Sequence, residues 1–451
     1  MERSEHMVKQ QNMAQVTAGG VFSIVPASVI AGGSARSPSD RMGIAVVGVG
    51  GQAPEPYYWA GRGSQLVEAV ADDEHIAALC DVDERYARAT FETYPDATKY
   101  RDYRRMLDEM EDQIEGVMIA TPDHTHAVVT AAAMKRGMHV YTEKPLTHTV
   151  WEARRLRELA RETGVTTQMG NHGHSEDSVR RCRELVEAGG VGTVQEVHCW
   201  TSAPTWPQGE VKTPRKPGPE GLEWNLWLGP AEKRPYSPAY HPVTWRGFRD
   251  FGSGAIGDMG CHVMDMPFYA LQLPPPVRIE ASTSTLHGEA YPEHAVVRYQ
   301  FPSVNGNPGI RLNWYSGGLK PPLSEHVPSE TRLGGHGCML VGDRGTMVTS
   351  NYGRDARIYP LSRMESLKDA PETYPRVKKS HPLAWIEAAR EGDQPASSFD
   401  YAGCLTETVL LGSAAIRARK PLCWDAENLE ITNVPQTNHL LRTDYRDGWS
   451  L

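Results

Sequence analysis

Short apolar runs separated by stretches of helical periodicity organise the first third of the chain from Met42 onward. Ile44–Val47, Ile76–Cys80, Gly116–Ala120, Met138–Thr142 and Val165–Met169 are rich in small and β-branched apolar residues. Runs of that length and composition suit strands buried on both faces. Between them the spacing predicts helices over 84–93, 103–110, 127–136 and 150–162. Strand and helix by turns mean a parallel sheet with helices on both faces. The alternation predicts one complete, doubly wound, six-stranded domain over residues 41–170, five of whose strands these runs place.

After Met169 the pattern changes. A helix with Val179, Cys182 and Val186 on one face is predicted over 176–188, and strand-like runs then recur at 194–201, 277–284, 294–301, 309–315, 337–341 and 345–349. Successive strands with few helices between them predict a large open, mostly antiparallel sheet. Helices over 382–390 and 405–417, the second amphipathic, complete an α+β domain assigned to residues 171–451. The polar stretch 438–451, ending near Trp449, receives no role.

The first forty residues stand apart. Residues 10–35 carry no charged side chain, Val21–Val25 is mainly apolar, and Gly33–Ser34–Ala35 offers small residues where a signal peptidase would cut. Pro26 interrupts the apolar part, and Arg3 and Lys9 are balanced by Glu2 and Glu5. We rank an export signal narrowly ahead of a disordered arm for residues 1–40, so periplasmic or extracellular placement is set just ahead of cytoplasmic. No other stretch reaches the ~20 apolar residues of a membrane span. The balance of 47 basic against 56 acidic residues, without a basic block, argues against nucleic acid as a partner. Seven cysteines without CxxC spacing read as reduced core thiols.

The chemistry begins where the first strand ends, in Gly48–Val49–Gly50–Gly51–Gln52–Ala53. A G-x-G-x-x-A turn between strand and helix lets backbone approach a pyrophosphate, so Gly48, Gly50 and Gly51 are expected to contact a dinucleotide. Asp81 closes the second strand, where a carboxylate accepts the ribose hydroxyls of adenosine and repels a 2′-phosphate. NAD is therefore preferred over NADP. Pro54 and Pro56 stand where the first helix should begin, which implies an insertion over about 54–63 before the helix resumes near Ser64. Thr121, Pro122 and His124 follow the fourth strand, beside the nicotinamide half, and Glu143 is a candidate partner for the nicotinamide ribose.

Lys144 leaves a strand end on the stiff backbone before Pro145, at the sheet edge where open α/β folds bind ligands. In Gly257–Asp258–Met259–Gly260–Cys261–His262–Val263–Met264–Asp265, positions i, i+4 and i+7 share a helix face. Asp258 is expected to orient His262 as a base, with Asp265 in support or touching substrate. Trp206, Tyr240 and Trp245, with Arg246, Arg249 and Asp250 nearby, suit the faces and rim of a sugar ring. His174, in the polar turn 170–175, is a further substrate candidate. The pairs His124/His126 and His172/His174 lack the ligands that would complete a metal site, so no metal is assigned.

The glycine turn, Thr121–Pro122–Asp123–His124–Thr125–His126, Glu143–Lys144–Pro145 and Asp258–Met259–Gly260–Cys261–His262 together resemble the Gfo/Idh/MocA oxidoreductases. The resemblance covers about residues 42–435. It implies a Rossmann domain followed by an α+β domain whose open sheet mediates homo-oligomerisation, and it matches Lys144, Asp258 and His262 to the family's catalytic trio. The implied activity is NAD-dependent oxidation of a ring secondary alcohol of a sugar, glycoside or cyclitol. One alternative is redox-neutral glycoside cleavage with a tightly bound NAD. Another is a non-catalytic NAD-binding sensor or scaffold, since a fold alone does not set function.

Overall fold

The structure is a computed structural model that describes residues 40–51, 61–303 and 308–451. The export or arm reading of residues 1–40 rests, all but Asp40, on residues outside the described ones, as do Ala53, Pro54 and Pro56 of the expected insertion. The first described helix begins at Arg62, two residues before the expected Ser64.

Strands β1 (Gly43–Val47), β2 (His75–Cys80), β3 (Thr98–Tyr100), β4 (Gly116–Ile119), β5 (His139–Thr142) and β6 (Thr167–Met169) form a parallel sheet in the order β3-β2-β1-β4-β5-β6. All five residues of β1 are buried, as helices on both faces require. Three-residue β3 is half-exposed and polar, so no apolar run announced it. The strand order reverses between β1 and β4, and such a switch point opens a crevice at the carboxyl ends of the strands. Gly48 and Thr121 stand at those two ends. On one side of the sheet, Thr149 caps helix Val150–Thr163 through a reciprocal box with Glu152.

The second sheet contains β7 (Val194–Trp200), β8 (Arg278–Thr283), β9 (Ala295–Gln300), β10 (Arg311–Ser316), β11 (Gly337–Gly342), β12 (Thr346–Thr349), β13 (Arg357–Tyr359), β14 (Leu422–Asp425) and β15 (Glu430–Ile431). Its order is β13-β12-β11-β7-β10-β9-β8-β14-β15, antiparallel except where β10 runs parallel to β7. Along β9 the residues alternate between buried and half-exposed, leaving one face open. The parallel sheet and this open mixed sheet are the fold class that the hydrophobic pattern implied.

Two helices late in the chain tie these layers together. Helix His381–Glu391 returns to the parallel sheet, where Trp385 is fully buried among Ile44, Met118 and Tyr141. Helix Phe399–Ala418 is buried continuously from Leu405 to Ile416, so the expected amphipathic stripe is absent. It packs against helix Val150–Thr163 on one side and against β8, β9 and helix Gly254–Val263 on others, which removes the solvent face that an amphipathic helix needs. Among the described residues no helix is long and apolar enough to cross a membrane.

Candidate active site

Gly48 has φ +84°, and a Cβ there would lie 2.8 Å from the Ala120 carbonyl. Only glycine fits both the backbone and the space. A Cβ at Gly63 would meet the Gly48 carbonyl oxygen at 1.7 Å, so the first turn of the following helix presses directly on the glycine loop. The Gly50 N–H donates to Asp81 Oδ2 at 2.8 Å, and the Asp83 N–H donates to Oδ1 at 2.9 Å. Burial pushes the Asp81 carboxyl up to about 6, with those backbone donors opposing the shift.

Gly48, Gly50, Gly51, Asp81, Thr121 and Pro122 line one cleft of about 1090 Å³, including its part open to solvent. Thr121 Oγ1 is buried there without a hydrogen-bond partner among the described residues. A glycine loop at a helix start, a carboxylate at the end of β2 and an orphaned hydroxyl at the end of β4 fit a dinucleotide laid across the switch point. His124 is not part of this wall. It is buried, with Nε2 3.0 Å from the Trp227 carbonyl oxygen and Nδ1 3.3 Å from that of Phe251. Burial pulls its imidazole down to about 3, so it acts as a core histidine. Helix Asp123–Met134 begins four residues earlier than predicted, which turns the His124 ring inward. Glu143 is paired with Arg62 Nε at 3.1 Å, and Arg62 itself reaches the cleft.

Beside the cleft, Lys144 Nζ donates to Asp258 Oδ1 at 2.7 Å and to the Asp258 carbonyl oxygen at 2.9 Å. Arg246 Nε stands 3.3 Å from the same Oδ1. Burial alone would raise the Asp258 carboxyl; the charges of Lys144 and Arg246 outweigh it and hold the group below its ordinary value. Asp258 therefore serves two cations and makes no hydrogen bond to His262, contrary to the expected orienting role. The i, i+4 spacing does put both on one helix, but two full positive charges attract the carboxylate more strongly than a neutral ring does.

His262 is buried, its Nδ1 has no partner among the described residues, and its ring lies 5.3 Å from His172 and 5.4 Å from Tyr352. Burial, then the charge of Lys144, pulls its pKa well below the usual histidine value. His172 is pulled down to about 4, first by burial and then by Arg62 and Lys144. The pocket thus holds neutral imidazoles next to fixed cations. Lys144, Asp258 and His262 do not themselves line the cleft; Arg246, which does, connects them to it.

Asp265 does not share this site. The helix breaks at Met264, and Asp265 starts a new one. Its carboxylate accepts from His174 Nδ1 at 3.0 Å and from the Tyr401 hydroxyl at 2.6 Å, with Asp265 and His174 both buried. Asp265 and His174, both expected to touch substrate, pair with each other here, and His174 Nε2 is buried without a partner among the described residues. Tyr240 is likewise internal, donating to Glu289 at 2.7 Å within an aromatic cluster, and Trp206 is buried against Ala203 and Ala255. Trp245 does line the cleft, with the Arg246 guanidinium 4.2 Å over its ring. Arg62 and Tyr352 are additions from the structure, and Trp227, in a segment read from sequence as structural, lines the cleft. Tyr352 at φ 61° carried no sequence signal, whereas His172 lay in the polar turn already noted. Among the described residues, no group of three or more His, Cys, Asp or Glu side chains could hold a metal ion.

Residues 42–171 match an oxidoreductase family with an NAD-binding Rossmann fold, and residues 176–305 match the C-terminal alpha/beta domain of the same family. The chain belongs to the Gfo/Idh/MocA oxidoreductase family. It is 25% identical over 169 residues to levoglucosan dehydrogenase of Pseudarthrobacter phenanthrenivorans, 37% of this chain and 35% of that protein. It is 27% identical over 255 residues to the rhizopine catabolism protein MocA of Rhizobium meliloti, 56% of this chain and 68% of that protein. The match thus spans about a third of the first relative's length and two thirds of the second's. GenD2 from gentamicin A biosynthesis, solved in complex with NAD, shares the fold with a TM-score of 0.58 at 20% identity, over 87% of this chain and 99% of that one. The family's Rossmann domain is NAD-binding, and the cleft opens at the switch point between β1 and β4 of that domain.

Proposed function

We propose that this chain moves a hydride between NAD and a ring secondary alcohol of a sugar, glycoside or cyclitol. The observation that carries the proposal is the meeting of Lys144, Arg246 and Asp258 beside a neutral, buried His262 at the edge of the NAD cleft. Gly48, Gly50, Gly51 and Asp81 would hold the cofactor's adenosine and pyrophosphate, and Thr121 and Pro122 its nicotinamide half. When bound, the nicotinamide supplies the hydride acceptor or donor.

The protein's part is to manage charge on the substrate oxygen. Lys144 spends two donor bonds on Asp258, which leaves a third N–H for a substrate oxygen. As the hydroxyl proton moves to a nitrogen of His262, the C–O bond gains double-bond character and the carbon releases its hydride. Lys144, held in place by Asp258, stabilises the negative charge that develops on oxygen. An imidazole kept neutral by its surroundings is ready to accept that proton. Trp245 and Arg246 offer a flat face and a charged rim for a ring carrying several hydroxyls. The names of the relatives, a dehydrogenase of levoglucosan among them, support a carbohydrate substrate.

The test is turnover of a panel of sugars, glycosides and cyclitols by the purified protein with NAD, followed by nicotinamide absorbance. Lys144→Ala should lose about 10²–10³-fold in kcat. Wild-type rates in that variant would remove Lys144 from the chemistry. Aryl glycosides in the same assay separate net oxidation from redox-neutral cleavage, which would release the aglycone with no net NADH.

A further inference from the structure

The last residues of the chain return to the NAD cleft. Trp449 lines the same cleft as Asp81 and Tyr103, although more than 340 residues separate it from either. Asp81 marks the adenosine end of the site, because a carboxylate at the end of β2 is where the ribose hydroxyls are accepted. The walls beyond it, Val82, Tyr103 and Val129 among them, therefore face the base. The polar stretch 438–451 thus supplies an aromatic ring at the position where a flat purine would lie.

That ring is held firmly. The Arg104 guanidinium stands 4.7 Å over the Trp449 indole, and the Tyr103 ring centre is 6.2 Å away. The chain leading to it is pinned at several points. Arg446 donates to the Gly229 carbonyl oxygen at 2.5 Å and to Asn225 Oδ1 at 2.6 Å, and its backbone N–H reaches the Pro230 carbonyl oxygen at 3.2 Å. The Tyr445 hydroxyl donates to Glu152 Oε1 at 2.5 Å, and the Trp449 N–H closes a turn on the Arg446 carbonyl oxygen at 3.2 Å. Charge-assisted bonds from Arg446 fix a segment of mostly exposed residues and so offset the entropy of ordering it. Its tryptophan, Trp449, is half-buried on the cleft.

We propose that segment 445–451 forms the outer wall of the adenine pocket, with Trp449 as the packing surface for the base. The proposal rests on the NAD reading of the cleft and adds a cofactor-retaining element outside the parallel sheet. Arg104 and Arg446 stand 4.7 and 5.6 Å over the indole, and the ring lines the cleft with the apolar surface they leave uncovered. Base–aromatic contact of this kind contributes affinity without the hydrogen bonds that the Asp81 carboxylate provides for the sugar.

The experiment is calorimetric titration of the full chain and of Trp449→Ala and Trp449→Phe with NAD, ADP-ribose and nicotinamide mononucleotide, with melting temperatures recorded for each protein. Trp449→Ala should bind NAD and ADP-ribose about tenfold more weakly. Trp449→Phe should recover most of that loss, and nicotinamide mononucleotide, which lacks the adenine, should bind all three proteins alike. Unchanged NAD and ADP-ribose affinities in Trp449→Ala would overturn the proposal, as would an equal loss for all three ligands. If the wild-type chain itself bound neither NAD nor ADP-ribose, the NAD reading would fall first, an outcome distinct from the other two.

Discussion

Lys144 and Asp258 are 114 residues apart in the chain, and their charged groups meet at 2.7 Å. One comes from the end of a parallel strand and the other from a helix beneath the second sheet, so this contact joins the cofactor-binding layer to the rest of the site. The side chains are largely buried, at 14% and 13% exposure, and Arg246 adds a second positive charge to the same carboxylate oxygen. Asp258 is best described as a positioning residue that holds two cations at the cleft. The imidazole of His262 is left to its own surroundings, the rings of His172 and Tyr352.

Asp258→Asn keeps the shape and removes the negative charge, leaving Lys144 and Arg246 to repel each other. Stranding partly buried charge in this way should cost roughly 3 kcal/mol of stability. Urea denaturation of the two proteins measures it. kcat should fall with it, because Lys144 loses the anchor that aims it. A variant as stable and as active as wild type would show that the triad of charges is incidental.

His262 is pulled well below the ordinary histidine value by burial and then by Lys144. A base with a depressed pKa stays deprotonated into acid, so the acid limb of kcat/KM should lie clearly below the usual ~6.5. His262→Ala should lower the rate by about 10²–10⁴-fold and abolish that limb. An acid limb at or above neutrality would mean that the imidazole titrates normally, and the site would need another base.

Stability should follow pH for the same physical reason. His124 and His381, held at about 3, and His172, at about 4, are neutral in the fold and protonated in the unfolded chain below ~6.5. The unfolded state therefore binds more protons, and stability falls as pH drops from about 6.5 toward 4. Asp81 and Asp123, both raised to about 6, act in the opposite direction between about 4 and 6. With His262 added, four histidines outnumber two carboxylates, so the melting temperature should decline through this window. A flat profile between pH 7 and 4.5 would contradict the burial of these rings.

Much of the fold was legible because its strands obey simple rules. β1, β2, β4 and β5 are short apolar runs closed by a turn or a proline, the composition that burial on both faces demands. The three polar residues of β3 sit at a sheet edge, where burial imposes no such pattern. Gly48 and Asp81 could be placed in the cleft because local backbone geometry puts them there. The partners of Asp258, Asp265 and His174 could not be read, since each is chosen by residues far off in sequence, and helix spacing says which side chains share a face but not which charge lies opposite. His124 followed from its place after a strand end, yet the helix began early and its ring turned inward. Trp449 was opaque because only the folded chain brings it to Tyr103.

Gly48→Ala tests the glycine loop. The position needs φ +84°, and a methyl group would sit 2.8 Å from the Ala120 carbonyl. The left-handed backbone alone costs an alanine about 1–2 kcal/mol, and the clash pushes the loop off the carboxyl end of β4. NAD affinity should drop by at least tenfold in a direct titration, and thermal stability should fall with it. Wild-type affinity in this variant would place the dinucleotide elsewhere.

Asp265→Asn separates the pairing seen in the structure from the substrate role expected of Asp265. The buried carboxylate joins His174 Nδ1 to the Tyr401 hydroxyl. An amide oxygen in place of Oδ1 can accept both bonds, but the NH2 end in place of Oδ2 then faces His174 Nδ1. The variant should lose about 1–3 kcal/mol in denaturation, the cost of leaving a buried polar group unpaired. Because the polar groups of Asp265 are taken up by His174 and Tyr401, KM for the sugar should stay within about threefold of wild type at temperatures where the variant is folded. A tenfold rise in KM with an unchanged melting temperature would reverse the assignment, since a residue that only supports the fold cannot weaken substrate binding without weakening the fold.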